Sequence, residues 1–319
     1  GGDQGDPAVP PSSEASDCAV YFAGAPGQRA MTRGLVGALG FTIVDATGAR
    51  ATLAHGHPVL VHGFRPEAVV WGRAARGHVY VLWHSSYTVT GLFGEGRLLA
   101  EALAAHDEGA IRLLWLERRD PPPRPDIRHL PAVFDPAGLR AAAAAVGDVP
   151  RNPRDVLVAP CTPGTAPAKN LIAQVAGAVG VDGIDRIHAM RTTADIDAAL
   201  RAIAGSRLVL HDPLPHDDLL RLIKSCAVLC HASTADVWPY LGLEAVYAGT
   251  PVVLSSAVGW AVEGAGVFEY LLWEALAEGA VSVAAQVRQL DEIADDNAEA
   301  AHRRLRRWGF APTLRERQP

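Results

Sequence analysis

Lysine is almost missing from this 319-residue chain: of 29 basic residues, only Lys169 and Lys224 are lysines and the rest are arginines. With so much alanine, glycine and proline, that imbalance marks a GC-rich coding bias. The 35 acidic residues bring the formal charge to −6, which argues against binding DNA or RNA through bulk charge. Cysteine is scarce too. Cys18, Cys161, Cys226 and Cys230 are too few and too scattered for a disulfide framework in a chain this long, so the expected setting is reducing and cytoplasmic. Cys226 and Cys230, four apart, read as two small buried side chains. No apolar run approaches the roughly 20 residues that span a bilayer. Residues 1–16 lack the basic start and apolar middle of a signal peptide and read as a disordered leader. Also missing are a Gly-x-Ser-x-Gly elbow, a Walker loop and paired Cys-x-x-Cys ligands.

What is present is a globular composition, 49% hydrophobic and 20% charged, long enough for two domains. Short apolar runs alternate with helical patterns, the mark of α/β architecture with parallel strands. Strands are expected at 19–23, 41–45, 58–62, 68–71, 78–83 and 111–116, with helices at 28–39 and 95–106. The stiff Pro-rich segment 120–125 and the run 130–135 lead through an Ala-rich helix into a second alternation. There the expected strands are 156–159, 184–190, 208–211, 227–230 and 251–255. Helices fall at 169–179, 194–204, 217–225, 240–248 and 291–308. The expected division is 17–137 for one Rossmann-like domain, 138–290 for the other, and 291–319 for a final helix with a basic tail.

Ligands of open parallel sheets sit outside the carboxyl ends of the strands, and three such strand ends carry chemistry. In 227–253 a strand ends at Cys230, and His231 to Thr234 make a polar turn. Asp236 then precedes a helix headed by Pro239, with Glu244 on its second turn. Free N–H groups at a helix start seat a phosphate, and Glu244 offers acceptors to vicinal ribose hydroxyls. Capping by Asp236 and solvation of Glu244 are the plain alternative. A second strand, 156–159, leads through a loop to Lys169-Asn170 at a helix start, where a cation opposes the dipole and an anion would relieve it. The third ends at His84, a strand-end histidine or a core one.

The segment 236–253 resembles the signature of family-4 (group 1) retaining glycosyltransferases of the two-Rossmann-domain, GT-B type: an acidic residue, seven others, Glu-Ala, then Gly-Thr-Pro-Val-Val. Here it reads Asp236, Glu244-Ala245 and Gly249 to Val253. The resemblance implies two facing doubly wound domains with an interdomain cleft. It implies transfer of a glycosyl group from a nucleoside-diphosphate sugar, such as a UDP-sugar, with retention of configuration and neither metal nor cofactor. It gives the catalytic work to His84, Asp236 and Lys169: Lys169 on the leaving diphosphate, Asp236 on the donor sugar, His84 at the reacting carbon. Donor binding falls to Lys169, Glu244 (ribose), the base-reading backbone near Leu214, Tyr240, Leu241 and Gly27 of the loop 24–29. A small-residue turn at 255–259 parallels another donor contact.

This chain departs from that pattern in three places. Asp236 replaces a Glu, Val237 and Pro239 replace glycines, and no Arg precedes Lys169, which leaves Arg29 as a substitute cation. A non-hydrolysing nucleotide-sugar epimerase of the same architecture, or a nucleotide-sugar-binding module without turnover, fits the same motifs. The acceptor stays open among a lipid carrier, a glycan, a small molecule and a modified DNA base. The tail 302–319 holds six arginines, read either as a solvated helix end or as a contact for an anionic surface. Asp195-Ile196-Asp197 reads as acidic first-turn residues, and His55-Gly56-His57 as a turn before a strand.

Overall fold

The computed structural model describes residues 11–22, 26–85, 87–92, 94–116, 121–166, 168–234, 236, 239–255 and 282–314. The chain divides into two units, Ala8–Asp135 with Glu292–Pro319, and Pro136–Asp291. The first holds β1 (Ala19–Tyr21), β2 (Thr42–Val44), β3 (Val59–His62), β4 (Val79–Trp83), β5 (Arg112–Trp115) and β6 (Arg128–His129). They form one sheet in the order β2-β1-β3-β4-β5-β6, parallel throughout. Every residue of β3 and β4 is buried. That is why these segments read as unbroken apolar runs: helices cover both faces of a parallel sheet.

One expected strand is a helix. Residues 68–71 lie inside Pro66–Ala74, between β3 and β4. Parallel neighbours need a crossover rather than a hairpin, and Pro66 and Glu67 favour a helix start. Ala68, Trp71 and Gly72 are buried whereas Val70 is 65% exposed, a helical spacing that four apolar letters conceal. The helix lies close to the chain beyond it: a Cβ on Gly72 would come within 1.8 Å of the Ala110 carbonyl oxygen. Two helices went unforeseen, Ala46–Ala54 and Tyr87–Leu92. The first carries a legible signal, because the Asp45 side chain accepts from the backbone N–H of Thr47 and Gly48, each at 2.8 Å.

The second unit holds β7 (Asn152–Val158), β8 (Arg186–Met190), β9 (Leu208–His211), β10 (Cys226–His231) and β11 (Val252–Leu254). The sheet runs β11-β10-β7-β8-β9, again parallel. From β7 the chain winds outward through β8 to β9, then returns to the other side of β7 to lay down β10 and β11. The helix Ala194–Ala204 is capped by Thr193 and takes Asp195 and Asp197 into its first turn. Cys226 and Cys230 are buried free thiols on β10. The last helix, Val283–Arg307, starts eight residues before the expected 291. Its start is tied to β11 by Gln286, which pairs with both backbone groups of Val252 at 3.1 and 2.8 Å. Among the described residues no helix is long and apolar enough to cross a membrane.

Gly72→Ala should lower the free energy of unfolding by about 1–3 kcal/mol through overpacking against Ala110. Gly91→Ala, whose new Cβ meets nothing within 4 Å, should leave stability level or slightly raised. Denaturant midpoints for the two variants would reveal the contrast, and equal midpoints would contradict the packing.

Candidate functional site

In the second unit the winding direction reverses between β7 and β10, which pair directly at Val158 and Cys230. Connections leaving two such strands diverge, and the crevice between them lies outside their carboxyl ends. Both exits carry functional candidates. The loop after β7 ends at Lys169, and the loop after β10 runs from His231 to Asp236. Thr234 stitches the loops together, its backbone N–H and its hydroxyl both donating to the Ala168 carbonyl at 2.9 and 3.1 Å.

Lys169 is positioned by its neighbours. Asn170 adopts the left-handed conformation (φ 52°), which an Asn tolerates better than most residues, and turns the chain into the helix Leu171–Val179. Gln174, fully buried one turn into that helix, accepts from the Ala159 N–H at 3.4 Å and donates to the Lys169 carbonyl. One side chain thus ties both ends of the loop. Among the described residues no side-chain hydrogen bond from Asn170 caps the start of this helix.

The Lys169 ammonium forms an ion pair with Asp236 Oδ2, and His231 Nε2 lies 2.9 Å from the same oxygen. A carboxylate only accepts, so Nε2 carries the proton and Nδ1 keeps the lone pair. Lys169 Nζ, 3.4 Å from Nε2, is therefore a second donor drawn to one oxygen rather than a partner of the ring. Among the described residues buried His231 Nδ1 has no hydrogen-bond partner. Burial, and then the Lys169 charge, hold the His231 pKa below its ordinary value, outweighing the pull of Asp236. For Asp236, burial pushes upward, but Lys169 and His231 bring it down to about 2 from 3.8. Asp236 is thus an ionised acceptor shared by two donors, not a helix cap.

Glu244 is not solvated either. On the second turn of Tyr240–Tyr247, its Oε1 pairs with His216 Nε2 at 2.8 Å. His216 opens the helix His216–Ser225, whose N-cap is Pro215, so Asp217 and Asp218 stand in the first turn rather than at the cap. Pro239 likewise caps its helix instead of entering it. Leu214, in the loop after β9, and Tyr240 and Leu241, at the head of the Glu244 helix, are half-buried. His84 belongs to the other unit, at the end of β4. Burial is the main cause lowering its pKa, and its ring meets His62 edge-on at 5.4 Å. His62 is held by Thr32 at 2.9 Å, and burial drives its pKa to about 3. Gly27 is the second residue of the helix Pro26–Leu39. Gly24, Val237, the turn 256–259, residues 1–10 and Arg315 and Arg317 lie outside the described residues.

Sequence reasoning missed His231, Gln174 and His216 as parts of these arrangements. Only for Gln174 was there a local hint, a polar residue on the apolar face of a short helix.

No protein-family model matches the sequence, and no curated protein matches it either. Solved structures do. A trehalose-6-phosphate structure from E. coli, bound with UDP-2-fluoro glucose, covers 92% of this chain and 100% of its own at 12% identity and a TM-score of 0.58. AviGT4, a glycosyltransferase involved in avilamycin A biosynthesis, covers 91% and 97% at 15% identity and a TM-score of 0.55. A UDP-forming α,α-trehalose-phosphate synthase from Burkholderia xenovorans covers 82% and 76% at 14% identity and 0.55. The likeness is one of fold: two doubly wound Rossmann-like units, the GT-B fold.

Because its folded pKa is depressed, Asp236 contributes stability that is present above about pH 4 and lost as the pH falls toward 2. A depression of this size corresponds to about 2 kcal/mol. Asp236→Asn should remove that contribution at neutral pH and flatten the acid limb of the stability profile. Urea melts of both proteins across the acid range would show it, and superimposable profiles would contradict the shared-carboxylate geometry.

Proposed function

We propose that this chain is a glycosyltransferase that takes a sugar from a nucleoside diphosphate, most simply a UDP-sugar, and passes it to an acceptor with retained configuration. The observation carrying this reading is the meeting of Lys169 and Asp236 at the reversal point of a GT-B unit. The crevice offers a cation and, beside it, a helix start, both suited to a diphosphate. The Lys169 ammonium pairs with Asp236. An arriving diphosphate would compete for it, freeing the carboxylate to accept from a donor-sugar hydroxyl.

Lys169 would then stabilise the charge that builds on the leaving diphosphate, an electrostatic contribution realised mainly in the transition state. In this reading the cation is a side chain rather than a metal. Glu244 would accept from the ribose hydroxyls, with His216 holding its carboxylate in place. Leu214, Tyr240 and Leu241 would line the base and ribose. His84 would act at the reacting carbon and Gly27 in donor binding, and retention follows the resemblance of 236–253 to retaining enzymes. The neighbours bound with UDP-2-fluoro glucose or named as UDP-forming support a uridine donor. The acceptor belongs to one of four classes, lipid carrier, glycan, small molecule or modified DNA base, and the reaction would take place in the cytoplasm.

The test is release of UDP or GDP from a panel of nucleotide sugars, with acceptors from each class. Lys169→Ala and Glu244→Ala should each lower the rate at least about tenfold, the effect of losing one charged contact. Unchanged rates in both variants would overturn the site. An epimer formed from donor alone would make the chain an epimerase, and nucleotide binding in calorimetry without turnover would make it a binding module.

A further inference from the structure

A second basic site stands apart from the crevice, in the unit Ala8–Asp135 with Glu292–Pro319. A cavity of about 560 Å³ is lined there by Ile127, Arg128, His129, Arg304, Arg307 and Trp308, among others. Its cations come from two elements, edge strand β6 and the last turn of Val283–Arg307. Arginines at a helix C-terminus complement its dipole, but the dipole gives no reason for Arg128 to join them. Among the described residues no carboxylate lines the cavity. Among the described residues none of the three guanidiniums forms an ion pair, unlike Arg73, Arg140, Arg186 and Arg303.

The walls are fixed in advance. His129 Nε2 donates to the Leu116 carbonyl at 3.1 Å, which leaves its Nδ1 as an acceptor for Arg304 Nη1 at 3.0 Å. The same Nη1 donates to the His129 carbonyl. Among the described residues Arg304 thus spends only this one nitrogen on the protein. Trp308 stacks on Tyr80 (5.7 Å between centroids, 20° between planes), and the Tyr80 hydroxyl donates to the Trp308 carbonyl at 3.1 Å. Burial, followed by the charges of Arg303 and Arg307, disfavours the charged form of Arg304, a cost that an anion would offset.

We propose that this cavity binds a small phosphorylated molecule, a phosphate ester or diphosphate with an apolar or planar body. Guanidinium forks match phosphate oxygens in pairs, and three of them call for more than the single charge of a carboxylate. Trp308 and Ile127 supply the apolar wall that orients the remainder. The volume lies within the range of small-molecule sites. This site does not depend on the glycosyltransferase reading, because none of its residues belongs to the unit that holds Lys169.

Inorganic pyrophosphate, titrated calorimetrically into the 319-residue chain, tests the proposal. In Lys169→Ala, where the crevice has lost its cation, one saturable site should remain. Arg128 and Arg307 are exposed, so adding Arg128→Gln and Arg307→Gln should leave the circular dichroism spectrum unchanged while weakening binding at least about tenfold. Hydrogen exchange should slow on pyrophosphate binding at 127–130 and 300–308. No binding to Lys169→Ala, or binding indifferent to the arginine changes, would overturn the proposal. So would recruitment to phosphatidic-acid vesicles with no uptake of soluble pyrophosphate.

Discussion

A parallel strand cannot be followed by a hairpin, and both sheets of this protein are wholly parallel. Each connection must therefore climb over a face of the sheet as a helix or a long loop and come down beside a neighbour. That constraint buries the strands on both sides, supplies the helices whose starts face the carboxyl edge, and forces a reversal once both flanks of the first strand are used. In the second unit the reversal falls between β7 and β10. The chain leaves those two strands in diverging directions, so residues 62 positions apart in sequence, such as Lys169 and His231, come within 3.4 Å. The site is a product of topology before it is a product of side chains.

What the side chains add is local precision. Gln174 fastens both ends of the β7 loop, Asn170 turns it through a left-handed step, and Thr234 ties it to the loop after β10. Within that frame one carboxylate oxygen receives two donors of different kinds, an ammonium and a buried imidazole.

Much of this was legible in the letters because parallel strands are buried on both faces and print as short apolar runs. Strand 208–211 and helix 194–204 match the observed bounds residue for residue. Segment 68–71 misled for the same reason, since four apolar letters carry no period, and only the exposure of Val70 separates helix from strand. The spacing of Asp236 and Glu244 correctly set one ahead of a helix and the other on its second turn. It carried no trace of their partners. His231 and His216 stand five and 28 positions away from the acids they meet, and nothing local links them. The lysine shortage that first looked like codon bias leaves Lys169 as the cation of the crevice. The arginines of the last helix, plain in sequence as a basic run, acquire a common direction only when β6 places Arg128 beside them.

The two residues of β6 also end a sheet. Leu130 N–H turns inward to bond Trp115, so the His129 carbonyl between them points off the open side. An unpaired edge of this kind is a template on which another chain can add a strand, and proteins blunt it with short strands, charge or a covering group. Here all three coincide: the strand has two residues, Arg128 is one of them, and Arg304 already holds the outward carbonyl. Two of the arginines that line the cavity thus also cover the open edge of the sheet.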